Sequence, residues 1–149
     1  MNEKQGQLVD WNVFLRAVAD AIDSLGGPAA RDVWLRDVGV RMAAMRPLSS
    51  VQNMETLAME INDVLGGMGW GHVSFQLNEQ DRSLLITHSD MPRIGAAGDP
   101  PGTWISALLE GLYKGWMGQL PGSDPALVAQ RLRVTPQAVL LRYGRPIVA

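Results

Sequence analysis

Few side chains in this sequence are equipped for chemistry, and they are thinly spread. The two histidines, His72 and His88, occur in a chain with no cysteine and no HExxH pattern. A metal site needs a third ligand in a closed geometry, and no Asp, Glu or His spacing here supplies one. Both therefore read as solvated or hydrogen-bonded histidines near strand ends. A glycoside hydrolase would need two carboxylates facing each other across a cleft. Asp90, Asp99 and Glu110 come nearest, because they flank a Gly/Pro-rich loop and the helical pattern behind it. A chain with 15 acids yields such groupings by chance, and these three fit equally well as a turn, a loop and a helix-surface acid.

The loop itself, Gly95-Ala96-Ala97-Gly98-Asp99-Pro100-Pro101-Gly102, leads into a helix, an arrangement that can hold an anion at the helix N-terminus. It lacks the Lys-Ser/Thr of a P-loop and does not spell GxGxxG. Glycine supplies unusual backbone angles and the prolines stiffen the approach, which favours a rigid connection packed against a neighbour. Tryptophan is the remaining resource, since an indole face can stack on a sugar ring. Trp11, Trp34, Trp104 and Trp116 all fall on helical apolar stripes, where core or interface is the simpler reading, and Trp70 sits as a packing wedge between Gly69 and Gly71. No catalytic constellation emerges.

The elements that must position these residues follow from apolar spacing. Trp11, Phe14, Leu15, Val18, Ile22 and Leu25 recur at helical intervals behind Asp10 as N-cap, with Gly26-Gly27 as a stop. Pro28 suits the first turn of a second helix, running past Trp34, Val38 and Met42 to about Met45, before Pro47 blocks it. A third helix is expected to open near Ser49 or Ser50, to carry Met54, Leu57, Ala58, Ile61, Val64 and Leu65, and to close at Gly66-Gly67. The period then changes. Val73, Phe75 and Leu77 alternate with Ser74 and Gln76, Asn78 to Asp81 is a turn, and Ser83 to His88 is the return strand. After the irregular stretch from Asp90 to Gly102, a helix from about Thr103 carries a broad stripe from Trp104 to Met117. Its breadth predicts burial on more than one side. Leu127 to Val134 and Ala138 to Tyr143 read as a second hairpin. The order predicts one α+β domain over residues 1–149, with N-terminal helices and one later long helix packed on a small antiparallel sheet of about four strands.

Composition narrows the function classes. Hydrophobic residues make up 46% and charged ones 19%, which gives a folded chain with a surface less charged than that of a typical monomer. Five tryptophans and eight methionines add to that apolar excess, so some surface is expected to be closed by further copies of the chain. A net charge of −2 with scattered arginines argues against nucleic acid as a partner. The polar start, Met1 to Gln7, has no apolar signal region, and no apolar run approaches the ~18 residues of a membrane span. A cytoplasmic place is expected.

The stretch from Asp90 to Trp104, followed by Leu108-Leu109-Glu110-Gly111-Leu112-Tyr113, resembles the D proteins of bacterial cellulose synthase operons. The family's hallmark is a D-x-P-x-x-G-x-x-G-x-P-x-G-T-W loop leading into an L-E-G-L-Y helix. The Phe14-Leu15 helix, the Leu35-Arg36-Asp37-Val38-Gly39 segment and the Trp70-Gly71 step into a strand follow in the expected order. The resemblance implies a non-enzymatic accessory protein without a cofactor, assembled as dimers that gather into a cylindrical octamer and serving ordered cellulose export. Two mechanisms are implied. Glucan chains pass along dimer interfaces near the N-termini in the periplasm, or octamers form a cytoplasmic scaffold near the inner membrane with a proline-rich partner protein and the cellulose synthase complex. The signal-free N-terminus favours the second. On this resemblance Gly95, Gly98, Pro101, Gly102, Trp104 and Trp116 are expected contacts between protomers, and Trp11 is the aromatic nearest a glucan path.

Overall fold

The computed structural model describes residues 10–49, 53–95 and 102–147. The first helix, α1 (Trp11–Met45), starts where Asp10 accepts a hydrogen bond from the Val13 amide at 3.2 Å. It is two helical segments joined at Gly27, whose φ of 77° and ψ of −174° lie outside the helical region. Pro28 follows, where its missing N–H costs nothing. The predicted stop and restart are therefore real. In the second segment Arg31, Leu35, Gly39 and Ala43 are buried, a stripe at four-residue intervals.

The next helix, α2 (Met54–Met68), begins later than the sequence pattern suggested. Asn53, not a serine, caps it: its side chain accepts from the Thr56 amide at 2.9 Å, and the Thr56 hydroxyl accepts from the Asn53 amide. Its end also lies beyond Gly66-Gly67, at a left-handed Gly69. Leu57, Ile61 and Leu65 form its buried stripe.

Four strands follow the alternating patterns closely: β1 (His72–Asn78), β2 (Ser83–Ser89), β3 (Val128–Val134) and β4 (Ala138–Gly144). They form one antiparallel sheet in the order β1-β2-β4-β3. Its inner face presents Val73, Leu84, Ile86, His88, Val139, Leu141 and Ala129.

Against that face lies α3 (Ser106–Gly118), with α1 packed on its other side. The helix starts at Ser106, not Thr103, because residues 102–105 are taken up in turns. Every residue from Ser106 to Tyr113 is buried. The protomer thus accounts for the breadth of the stripe by itself, through layers on two sides.

Closeness of α1 and α3 is what makes this layer possible. A Cβ on Gly39 would come within 2.6 Å of the Leu112 amide nitrogen, and one on Gly111 within 2.7 Å of the Arg36 carbonyl carbon. One turn further on, a Cβ on Gly115 would meet the Ala43 methyl at 2.6 Å. Small residues spaced by four on both helices, Gly39/Ala43 and Ala107/Gly111/Gly115, let the backbones touch. The C-terminal side chains of α3 then cap the end of α1. The Trp116 indole donates to the Arg46 carbonyl at 2.9 Å and the Gln119 amide to Ala43 at 2.9 Å. The crossing predicts opposite signs for one chemical change. Gly111→Ala should lower the unfolding free energy by about 2 kcal/mol or more, as overpacking does. Gly66→Ala, on open α2 surface, should raise it by about 0.5–1 kcal/mol. Urea melts of both variants check this, and a neutral Gly111→Ala would refute the close crossing.

Candidate assembly surface and the loop behind it

Among the described residues, the first segment of α1 is thinly covered. Its six predicted apolar residues share an arc of about 100° on the helix. Leu15, Val18 and Ile22 on that arc are half-buried. Interleaved with them on the same arc, Trp11, Phe14 and Leu25 are 62%, 55% and 87% exposed. The Trp11 and Phe14 rings meet edge to face at 6.0 Å. Past the Gly27 break, Val33 and Trp34 are exposed as well. A cavity of about 210 Å³ opens between this segment and the body of the fold, lined only by apolar side chains, among them Leu15, Val18, Trp34, Trp70, Ile94 and Trp104.

Ile94 and Trp104, which flank the Gly/Pro loop, line the far wall of that cavity. Gly102 adopts a φ of 90°, and a Cβ there would meet the Pro92 carbonyl at 2.9 Å, so a side chain is excluded by both conformation and space. The Gly102 amide and the Trp104 indole both donate to the Ile94 carbonyl, at 2.9 and 2.7 Å. Trp104 is 4% exposed. Arg31 lies 5.8 Å above its ring and pairs with Asp23 at 3.1 Å across the Gly27 break. One arginine thereby ties both segments of α1 to the loop.

A family model for the D subunit of cellulose synthase matches residues 1–144. The chain belongs to this family. It is 34% identical over 142 residues, 91% of both chains, to a cellulose synthase operon protein D of Komagataeibacter xylinus. It is 36% identical, with the same coverage, to the corresponding protein of Komagataeibacter sucrofermentans.

Set against this family's loop and helix, the expected contact residues separate. Trp116 is fully buried, its ring packed on Tyr113 at 5.8 Å, and Trp104 is nearly so, which places both indoles inside the protomer. Gly102 serves the latch on Ile94, and Gly95 is half-buried beside it. Gly98 and Pro101 lie outside the described residues, as does Asp99. Among those expected residues that are described, Trp11 alone stands open on the surface.

The remaining polar residues are tied into structure. Glu110 is buried, not a helix-surface acid. It accepts from the Arg36 guanidinium at 2.7 Å and from the Arg131 amide at 2.9 Å, with the Arg131 guanidinium at 3.4 Å. Arg131 also donates to Ser106 at 2.8 Å and Asp32 at 3.0 Å. This cluster joins α1, α3 and β3 and leaves both Glu110 oxygens occupied. Asp90 is exposed, 3.5 Å from His72, and does not line the groove beside Glu110. The pair is not arranged as an acid and a nucleophile. Among the described residues, no group of three or more His, Asp or Glu is placed to hold a metal ion.

Of the two strand-end histidines His72 is exposed to solvent, and His88 is the hydrogen-bonded one. Wholly buried, His88 has its Nε2 at 2.7 Å from the Trp70 carbonyl and its Nδ1 against the Tyr113 hydroxyl. A carbonyl only accepts, so Nε2 carries the proton and Nδ1 accepts from the tyrosine. Burial pushes the imidazole pKa down to about 4, partly offset by the Trp70 carbonyl, while His72 lowers and Asp90 raises it slightly. Burial likewise raises the Tyr113 hydroxyl well above its ordinary value. Below about pH 6.5 the unfolded chain takes up a proton on this residue that the folded chain refuses until about pH 4. Stability should therefore fall across that window by about 3 kcal/mol on this account alone. In denaturant melts at stepped pH, His88→Gln should show a shallower fall than the parent chain. Parallel curves would place the titration elsewhere.

Proposed function

We propose that this chain is a non-catalytic, homo-oligomeric accessory scaffold, built from dimers into an octamer-type assembly, for the synthesis and ordered export of bacterial cellulose. The observation that carries this reading is the half-used stripe on the first segment of α1. A lone exposed leucine is ordinary, but a helix that turns Trp11, Phe14 and Leu25 outward from one apolar arc is not. Covering each such side chain is worth about 1.5–3 kcal/mol, and a second copy presenting the same stripe is the simplest cover. Membership of this cellulose synthase family supports a place beside the synthase complex. No helix among the described residues is long and apolar enough to cross a membrane. We set the scaffold in the cytoplasm near the inner membrane, working with a proline-rich partner protein; a periplasmic site is the alternative.

In solution at micromolar concentration, light scattering should give a mass of several protomers. Phe14→Glu combined with Leu25→Glu should reduce it to a single chain, while far-UV circular dichroism keeps the native helix content. A monomeric parent chain, or a variant of undiminished mass, would sink the scaffold.

A second reading is favoured by Trp11 itself, whose exposed indole at the start of α1 offers a flat apolar face to a pyranose ring. In that case the chain guides nascent glucan along a dimer interface. Calorimetry with cello-oligosaccharides should then show saturable heat that Trp11→Ala abolishes. No heat at millimolar ligand removes this reading and leaves the scaffold untouched.

A further inference from the structure

The two edges of the sheet are treated differently. β3 carries Arg131 and Arg133 with a bulge between them, the features that blunt an exposed edge. β1 pairs with β2 in unbroken register and has no proline and no charged side chain from Val73 to Asn78. In an antiparallel ladder the N–H and C=O of one residue point to the same side, and that side alternates along the strand. Val73 directs both groups away from β2. Its amide donates to the Asn62 side chain at 2.7 Å, and its carbonyl accepts from the same side chain at 3.0 Å. Phe75 and Leu77 must therefore also turn their N–H and C=O outward. Among the described residues nothing bonds those groups. Leu77 is half exposed on the helix side, and Gln76 is exposed on the other face. α2 guards the beginning of this edge and leaves its end open.

We propose that this open end of β1 pairs antiparallel with the same stretch of a second copy, about a two-fold axis through Gln76. In that register Phe75 exchanges both main-chain bonds with Leu77 of the second copy, and Leu77 with its Phe75. Every outward group of the open stretch is used. A shift toward the strand start runs into Asn62, and a shift the other way leaves Phe75 unpaired. On the helix side the phenyl ring and the leucine form an apolar cross-strand pair. On the other face the two Gln76 amides meet, each able to donate and accept. No like charges oppose one another between Ser74 and Asn78. A stretch this short and this self-complementary suits a second copy better than a foreign strand, which would find the same few bonds without the matched side chains. It buries too little to hold a dimer alone. It deepens the scaffold reading and rests on it, as the contact that links α1-paired dimers.

Because the chain has no cysteine, Gln76→Cys introduces a single thiol. Across the axis the two Cα atoms form a non-hydrogen-bonded pair about 4.5 Å apart, within disulfide reach. Mild oxidation should convert Gln76→Cys to a covalent dimer on a non-reducing gel. Ser74→Cys, which faces Asn78 of the second copy, should stay unlinked. Leu77→Pro removes an outward N–H without touching a β1–β2 bond, and Gln76→Lys opposes two charges at the axis. Both should lower the light-scattering mass to that of a dimer with unchanged circular dichroism. Equal cross-linking at both thiol positions overturns the register. No cross-link together with undiminished mass in both edge variants overturns the contact, and is also the result expected if a strand of another protein occupies the edge. Failure of the α1 scaffold would register separately, as an unchanged mass in the Phe14/Leu25 variant while Gln76→Cys still cross-links.

Discussion

The backbone contact between α1 and α3 is the constraint on which the rest of the molecule depends. With no Cβ at Gly39 or Gly111, the two helices approach until main chain meets main chain. That closeness lets α3 be buried along both sides in a chain of only 149 residues. It also brings Glu110 within reach of Arg36, and Gln119 and Trp116 within reach of the last carbonyls of α1. A single methyl at the crossing would push apart the groups that close each of these contacts. Burying Glu110 is tolerable only because two arginines meet it, and they reach it only from helices and a strand held at this spacing.

The second segment of α1 is thus fixed by α3, and the first is not. Gly27 redirects the helix, and what holds the first segment afterwards is the Arg31 bridge to Asp23, the buried Ala19 and the half-buried Leu15, Val18 and Ile22. The break has a consequence for assembly. A straight helix would carry Trp11 and Phe14 on a line set by the core stripe, whereas a redirected one presents its apolar arc where the protomer has little left to cover it. The described ends of the family's loop, Ile94 and Gly102 to Trp104, sit behind this junction. The Gly102–Ile94–Trp104 latch at these ends supports Arg31 from below, and so helps to position the junction of the two segments.

Much of this was legible from residue spacing. The alternations gave both hairpins to within a residue or so, because a half-buried strand must show its period in the sequence. Gly27-Pro28 announced the break. Helix ends were less clear, since Asn53 is one of several polar residues ahead of α2 and only the Thr56 reciprocity selects it. The breadth of the Trp104-to-Met117 stripe correctly announced burial on two sides, but could not say that both sides lie within one protomer. Glu110 looked like any helical acid because its partners, Arg36 and Arg131, are remote in sequence and meet it only in the fold. His88 was hidden for the same reason. Asn62 has no sequence signal as an edge clamp. The close crossing did have one: small residues four apart in Gly39/Ala43 and in Ala107/Gly111/Gly115 mark helix faces able to touch.

The two self-complementary surfaces proposed above, taken together, have geometric consequences that neither has alone. A single isologous contact, such as paired α1 stripes, closes on itself and stops at a dimer. Adding a second isologous contact at the β1 edge gives every dimer two further sites, each related to the other by the first two-fold. If the two axes intersect at an angle that divides a turn evenly, successive additions close into a ring of dimers. If they are skew, the same contacts propagate as a filament. The strength of either contact matters less to the outcome than the angle between the axes, and that angle is set by how α1 is carried relative to the sheet. In the proposed assembly Gly27, the Arg31 bridge and the Gly39–Gly111 crossing would set it, because they fix how α1 is carried. A change at the crossing that leaves the protomer folded would therefore be expressed in the size and closure of the assembly before it appeared in either interface.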